Sequence, residues 1–553
     1  MRAGKRVAVF DCETPPFELD RQDYRPFAVG FYDGMSYRRF WGYNAPSNFI
    51  CFLRDYPEPL ILYAHNGGKF DFLFFMPWLS RRLLIINGRI TKAHIFHHEL
   101  RDSYSIIPEK LADFKGKHQK TAIDYDMFTE RNRERFKHEI CAYLRDDVLT
   151  LYEGVQYFRA DFGNALTIGM AALTEFQKHH SFEHISASDD AFFRRFYFGG
   201  RCQCFKVGVF NASPDLFKVY DVNSMYAYVM KEYHHPISAE YTTATRITKR
   251  TTFAMVEGES FGALPVRTIE NGIKALSFTQ ARGTYYAGIH ELQLAIDLKL
   301  FKLHKVHFAV EHKRTASFGT FVDWVTERKI AMEKAGETAR RNNYKRVGNS
   351  CYGKFAQDPE NYKDHIIKDQ VDIPGEDWTP CMVADGYVIW ERPSLRRNYN
   401  NVAIGASITS ASRAVLLRGL ASSHEPFYCD TDSIICKRFE GNVHPTKLGA
   451  WKLEGEGDRL AIAGKKSYVL SSNRSDVVKM ASKGVPRDTT GIVRIITNLA
   501  KNSRVKYNVT NPVPHFTLDG CAHYISRTLR QTGVATEDSR TPSQALLRRK
   551  QAR

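Results

Sequence analysis

The chain contains no Cys-x-x-Cys pair, although ten cysteines are scattered through its 553 residues. Cys202 and Cys204 stand one residue apart without partners at zinc-ligand spacing, so no structural zinc site is expected and the thiols read as those of a reducing compartment. No apolar run approaches the ~18 residues of a membrane span. The opening MRAGKRVAVFDCET offers a run of only four apolar residues before its first aspartate, too short for a secretory leader. A soluble protein with no membrane partner is expected. Internal repeats and low-complexity tracts are also missing. Negative charge is scarce: 61 Asp and Glu against 79 Lys and Arg leave a net charge of +18. Such a field favours a polyanionic partner, through counterion release and steering, over a merely basic surface.

What the chain has in quantity is material for packed cores. Hydrophobic residues make up 43% and aromatic residues 13%, and the length suggests roughly three or four domains. Residues 1–185 alternate strand-like runs (RVAVFDCET, LILYAHN) with helical patterns (RFKHEICAYLRDDVLTLYEGV), which predicts an α/β domain. YFGGRCQCF follows, with Gly199-Gly200 marking a tight turn or a close backbone approach. The strand-like LFKVYDV then leads into NSMYAYVM. Residues 321–356 read as one long helical region. The stretch 357–402 carries strand patterns, YKDHIIKD and DGYVIWERP, around a middle containing Pro and Gly, and reads as a two-stranded arm. The final 70 or so residues are basic and end in a frayed tail.

Carboxylates recur in suggestive spacings. In YCDTDSI, Asp430 and Asp432 are two apart; alone this is an ordinary acidic turn, but on a strand both side chains share a face and could reach one metal site. Asp221 ends the FKVYD strand where the chain turns into a helix. Phosphoryl transfer by two divalent ions needs such convergent acids. Between them Arg341 and Lys345 share a helix face, with Lys329 further up the same segment: a clamp for a triphosphate, or an ordinary solvated face. A second acidic set lies near the N-terminus. Asp11 and Glu13 share a strand face, Asp71 follows YAHNGGKF in a loop, and Asp147 lies on a helix one turn after Tyr143. Four acids and a tyrosine to orient water make a plausible hydrolytic two-metal centre, although Asp147 could also be an exposed helix acid like its neighbour Asp146.

The order of these motifs carries a resemblance. DCET, NGGKFD and YLRDD resemble the three exonuclease motifs of proofreading polymerases. DVNSMY, KRVGNSCYG and YCDTDS resemble the three polymerase motifs of family B enzymes, and KKSY their Lys-x-Tyr motif. YFGG is similar to the Tyr-x-Gly-Gly linker motif of protein-primed family B DNA polymerases from small phages and linear plasmids, and TAIDY after Lys120 to their extra exonuclease lysine motif. The chain departs from the family pattern at Met225 and Ala227, at Ser103-Tyr104 where Ser/Thr-Leu is common, and in the TSASR run ending at Arg413.

The resemblance implies a multidomain α/β and α+β fold: an RNase H-like exonuclease domain of the DEDD type followed by a right-hand polymerase. The implied divisions are 1–188 exonuclease, 189–232 linker and first part of the palm, 233–317 a first terminal-protein-region insertion, 318–356 fingers, 357–402 a second such insertion, 403–482 second part of the palm, and 483–553 thumb and basic tail. It further implies a template-directed DNA polymerase with a 3′–5′ exonuclease, primed by a terminal protein or, alternatively, extending only nucleic-acid primers. DNA, dNTPs and a terminal protein are the implied partners, the enzyme is implied to be a monomer, and host cytoplasm (nucleus or organelle in a eukaryote) is the implied location. Two Mg²⁺ per site, replaceable by Mn²⁺, are the implied cofactors. Asp221, Val222 and Asp432 would hold one pair, with Asp430 in support; Asp11, Glu13, Asp71 and Asp147 would hold the other, assisted by Tyr143 and Lys120. Val222, Tyr226, Lys329, Arg341, Lys345, Asn349 and Tyr352 are implied at the incoming nucleotide. Thr14, Asn66, Phe70, Ser103, Tyr197, Gly199, Gly200, Thr409, Arg413, Lys466 and Tyr468 are implied along the DNA.

Overall fold

The computed structural model describes residues 5–501 apart from 17–24, 119, 271–272, 370–371, 373, 385–386, 396, 474–475 and 484–490, and beyond 501 only the backbone of a strand pair, Thr510–Phe516 with Ala522–Thr528. Most of the expected thumb and tail, 483–553, therefore lies outside the described residues. Among those described, no helix is long and apolar enough to cross a membrane.

Seven strands open the chain: Arg6–Glu13 (β1), Ala28–Tyr32 (β2), Tyr37–Trp41 (β3), Leu60–Ala64 (β4), Arg82–Ile86 (β5), Arg89–Ile95 (β6) and His98–Asp102 (β7). β4 reads LILYA and is buried throughout, as a strand covered on both faces must be; it runs parallel to β1 on one side and β7 on the other. Alternate residues of β1 feed different cores. Ala8 and Phe10 pack with Phe49 and Leu53 of the helix Ala45–Asp55, while Val7 and Val9 pack with Leu144, Val148 and Leu151 of the helix Lys137–Phe162. Each such large side chain contributes roughly 1.5–3 kcal/mol by leaving water. Gly30 of β2 sets the approach of the second helix, since a Cβ there would lie 2.9 Å from Leu144 Cγ.

This sheet continues past β5. The strand Lys363–Asp369 pairs antiparallel with β5, His365 opposite Leu83 and Ile366 opposite Arg82, and Tyr387–Pro393 and Thr379–Ala384 extend it to ten strands. The expected two-stranded arm is thus three strands, the first of them paired along β5 of the N-terminal sheet. The reason is apolar: Ile367 and Ile389 join the same buried cluster as Leu83 and Ile90.

The middle of the chain is built on a five-stranded sheet ordered Trp451–Gly457, Phe217–Val222, Ser433–Cys436, Tyr428–Asp430, Cys202–Cys204. The helix Val402–Ala421, buried along nearly its whole length, packs behind it. Between Phe217–Val222 and the next helices lies a four-stranded antiparallel sheet, Tyr241–Ala244, Phe301–His312, Phe253–Phe261 and Gln280–Gly288, whose helix Ile289–Asp297 docks on Val402–Ala421. The region read as one long helix is two, Gly319–Lys334 and Thr338–Phe355, packed on each other; Gly336, with φ +73°, ends the first in the left-handed conformation. A second four-stranded sheet, Gly208–Asn211, Arg459–Gly464, Ser467–Ser472 and Asp476–Ser482, is covered by the helix Ile492–Lys501.

Two candidate active sites

β1 ends in Asp11-Cys12-Glu13, and the pleat turns both acids toward Asp147 on the helix Lys137–Phe162. One carboxylate oxygen from each of Asp11, Glu13 and Asp147 lies within 4.8 Å of the others. Asp71 opens the 3₁₀ segment Asp71–Trp78 directly behind them, its Oδ1 accepting the Cys12 N–H at 3.1 Å. Among the described residues, the cation facing these acids is Lys120. Lys120 pairs with Asp147, and its ammonium stands 4.5 Å from the centre of the Tyr143 ring. Tyr143 also hydrogen-bonds Asp147 from one turn earlier on the same helix. Burial first, and the charge of Asp11 second, push Glu13 and Asp71 well above the usual carboxylate range; Asp147 is pushed up to about 7 for the same two reasons. Buried Glu13 Oε1 and Asp147 Oδ1 have no hydrogen-bond partner. Crowded oxygen donors with open lone pairs and too little positive charge suit a divalent cation such as Mg²⁺ or Mn²⁺.

Around this cluster Thr14 and Phe70 are half-buried at the surface, Phe70 edge-on to Phe74. Asn66, in the left-handed conformation at φ 62°, accepts from Arg89, which also binds Asp102 at 2.6 Å. Ser103, expected along the DNA, lies inside the fold. It is fully buried, with its hydroxyl donating to Ala64 O at 3.2 Å and meeting His65 Nδ1 at 3.0 Å. The exposed neighbour is Tyr104, with the Arg89 guanidinium 4.5 Å above its ring.

The second site lies on the five-stranded sheet. Asp221 pairs with Ser433, and the chain reaches Ser433 through Asp430-Thr431-Asp432. The expectation that Asp430 and Asp432 share a strand face is corrected: they flank a tight turn. Thr431 sits at the corner with φ +55°, and the Asp432 N–H donates to Asp430 O at 2.6 Å. The turn separates the two acids. Asp432 faces Asp221; its main-chain oxygen accepts from Val222 N–H at 2.8 Å, and its charge adds to burial in pushing Asp221 up to about 7. Asp430 faces Lys466, whose Nζ lies 2.7 and 3.0 Å from its carboxylate oxygens, and it also accepts from the Tyr428 hydroxyl at 3.2 Å. Tyr428 and Tyr468 rings are 5.0 Å apart. Asp430 therefore ties this turn to Lys466 and the strand that follows it.

Tyr226 follows on the helix Met225–Glu232, and its ring stacks on Tyr352 at 3.8 Å and 13°. Arg341, Lys345, Asn349 and Tyr352 recur at helical spacing along Thr338–Phe355 and share a face. Lys329 comes from the preceding helix; burial and then the charge of Arg341 lower its pKa, so the cations crowd one another. Glu333, 3.9 Å from Arg341 Nε, is the acid ion-paired to Arg341.

Thr409 and Arg413, also expected along the DNA, lie inside the fold as well. Thr409 is buried and donates to Ala406 O at 3.1 Å. Arg413 is buried in a two-pronged pair with Glu291, both bonds 2.7 Å, and donates to the carbonyls of Phe198 and Gly199. It grips the Tyr197–Gly200 linker from inside. That linker touches the second site: the Thr431 N–H donates to Arg201 O at 2.7 Å, and a Cβ on Gly200 would lie 2.7 Å from Thr431 Oγ1. Glu291, Arg201 and Arg89 were not legible as site residues, because each matters through a partner far away in sequence.

Residues 117–445 match a family model described as DNA polymerase type B, organellar and viral. A DNA-directed DNA polymerase of Enterobacteria phage PRD1 is 41% identical over 95% of this chain and 98% of its own length. A DNA polymerase of Kluyveromyces lactis is 24% identical over 74% of this chain and 50% of its own. Phi29 DNA polymerase superposes with a TM-score of 0.73 at 18% identity, covering 95% of this chain and 100% of that one. Its complex with primer-template DNA and incoming nucleotides gives 0.74 at 19%. At such identities the likeness is one of fold.

Proposed function

The chain belongs to the organellar and viral type B DNA polymerases and is a DNA-directed DNA polymerase, and on that premise we propose that it proofreads, starts synthesis on a terminal protein and displaces the strand ahead of it. The observation that carries the proofreading is the presence of two carboxylate centres on different sheets with no ligand in common.

In the polymerase centre, Asp221, Asp432 and the main chain of Val222 hold Mg²⁺ or Mn²⁺, with Asp430 keeping Lys466 in place. Lys345, Arg341 and Lys329 bind the triphosphate. Tyr226, fixed by its stack on Tyr352, meets a ribose 2′-hydroxyl, and Asn349 and Tyr352 shape the base-pair pocket. Lys466 and Tyr468 take the primer end, and the Tyr197, Gly199 and Gly200 linker follows the template. In the exonuclease centre, Asp11, Glu13, Asp71 and Asp147 hold the second metal set, Tyr143 and Lys120 order the attacking water, and Thr14, Asn66 and Phe70 hold the frayed 3′ end. Bound metal supplies charge neutralisation at the phosphate in both reactions. The reading assigns 1–188 to exonuclease and the remainder to palm, fingers, thumb and two insertions, and it gives the sheet at 233–317 and the arm at 357–402 the role of docking a priming protein. It treats the enzyme as a monomer acting in its host's cytoplasm, or in a nucleus or organelle.

The test is a crossed pair of variants. Asp432→Ala should abolish incorporation and spare single-strand degradation; Asp11→Ala with Glu13→Ala should do the reverse. Loss of both activities together in folded protein overturns the two-centre reading. For priming, labelled dNTP mixed with candidate partner proteins should become covalently attached to one of them; extension of nucleic-acid primers alone favours the alternative.

A further inference from the structure

An open basic pocket stands apart from both centres, where the sheet at 233–317 meets the helix Val402–Ala421. Its volume is about 540 Å³. The lining carries four cations, Lys249, Arg250, Lys313 and Arg418, against one carboxylate, Asp297. Lys313 is paired with Glu240 at 2.7 Å, and Asp297 accepts from Gln293 at 2.8 Å. Lys249, Arg250 and Arg418 have no carboxylate partner among the described residues. Lys249 and Arg250, both exposed, stand at the tip of a turn whose backbone is closed by Thr251 N–H on Thr248 O at 3.2 Å and Thr248 N–H on Thr251 Oγ1 at 2.9 Å. His312 forms part of the pocket wall: it is 3% exposed, its Nδ1 is 2.7 Å from Thr252 Oγ1, and burial pushes its pKa down to about 4, so it adds no charge to the lining.

We propose that this cavity binds a phosphate group, carried either by a small free phosphate such as pyrophosphate or by the 5′ end of a nucleic-acid strand. Cations with little acid nearby in a concave site focus a positive potential on whatever fills it. Two guanidinium forks and an ammonium suit the several oxygens and the roughly two negative charges of a terminal phosphate better than a single carboxylate. The inference stands independently of the polymerase reading.

Calorimetry on the full chain in EDTA tests it, with metal removed so that the carboxylate centres hold no phosphate. The probes are pyrophosphate, a 5′-phosphorylated hexanucleotide and its 5′-hydroxyl twin. The proteins are wild type, Lys249→Gln/Arg250→Gln/Arg418→Gln, and Arg341→Gln/Lys345→Gln, which removes the fingers cations instead. Wild type and the fingers variant should share a site that the cavity variant binds about tenfold or more weakly. A cavity-dependent pyrophosphate site identifies a free phosphate; a cavity-dependent preference for the phosphorylated strand over its twin identifies a strand end. Equal binding by wild type and the cavity variant overturns the proposal, and so does an equal weakening of both oligonucleotides with pyrophosphate unaffected. Should the triple variant misfold by circular dichroism, Arg418→Gln alone reads the same outcomes.

Discussion

Adding one methyl group at Gly200 should cripple synthesis and leave degradation untouched. A Cβ at this position would sit 2.7 Å from Thr431 Oγ1 and 2.9 Å from Thr431 Cγ2, so about 0.7 Å of movement is needed to reach ordinary contact at 3.4 Å. Gly200 has an ordinary backbone conformation, so the effect of Gly200→Ala is steric alone. The neighbour cannot easily give way. Thr431 holds φ +55°, which is strained for a β-branched residue, and its N–H is tied to Arg201 O at 2.7 Å. The push therefore passes to the turn carrying Asp432. A misplacement near 1 Å can cost a reaction about a hundredfold, so a shift of this size should slow nucleotide addition by roughly 10- to 100-fold. The assay is single-nucleotide extension of a matched primer beside degradation of a single-stranded oligonucleotide, because Asp11, Glu13 and Asp147 lie on other elements. Thr431→Gly in the Gly200→Ala background removes both clashing atoms and the φ strain, and should recover most of the lost rate. Near-wild-type extension by folded Gly200→Ala, or an equal loss of both activities, would refute the reasoning.

Three further outcomes are expected. Tyr226→Val removes a ring held at 3.8 Å on Tyr352 and should raise ribonucleotide incorporation roughly tenfold or more, read as the ratio of rNTP to dNTP efficiency; unchanged discrimination rules out a gate. Without metal, folded Asp147 holds its proton up to about 7 against an ordinary 3.8, so the stability this contributes is complete below pH 4 and lost as pH rises through 7. Melting temperature in EDTA should accordingly fall less steeply over that window for Asp147→Asn than for wild type, and Mg²⁺ should restore wild type at pH 8; parallel curves would deny the coupling. Replacing Asp364 to Arg392 by a short Gly-Ser link should preserve extension on open template, abolish synthesis through duplex, and promote self-association, because it uncovers the edge of β5. Full strand displacement by that variant in a single-binding-event assay would sink the idea behind this expectation, that the arm parts the duplex ahead of the template.

The parts legible in the sequence are those in which a local period settles the geometry. Asp11 and Glu13 are two apart on a real strand, and Tyr143 and Asp147 are four apart on a real helix, so both pairs converge as their spacing implies. Asp430 and Asp432 have the spacing of the first pair and a different geometry. Apolar neighbours on both sides read as strand, but Thr431 takes a left-handed conformation that its own propensity opposes, held by a bond to Arg201 that no local pattern displays. The same limit applies to the burial of Ser103, Thr409 and Arg413, which no local pattern displays. Polar residues next to motifs read as ligands; what buries Arg413 is Glu291, 122 residues away, and nothing short-range joins them. The pairing of β5 with Lys363–Asp369 is equally non-local, and it turned an expected arm into a sheet extension.

These non-local contacts also change what the sheet at 233–317 does for the enzyme. Its helix supplies Glu291, which orients Arg413 onto the carbonyls of Phe198 and Gly199, and Phe278 packs 4.4 Å from the guanidinium of Arg201. Gly200 and Arg201 in turn contact Thr431. A continuous set of packed groups thus runs from this sheet through the linker to the turn bearing Asp432. A buried pair such as Arg413 with Glu291 gains little net stability over an apolar pair of similar volume, whereas losing one partner costs about 3–5 kcal/mol. Its advantage lies in geometry: a guanidinium has donors left over after the carboxylate is satisfied, and here they define where two consecutive carbonyls of the linker must lie. An apolar pair would fill the same space and leave the linker free to slide against Thr431. The sheet at 233–317 is therefore part of the scaffold that positions the turn between Asp430 and Asp432.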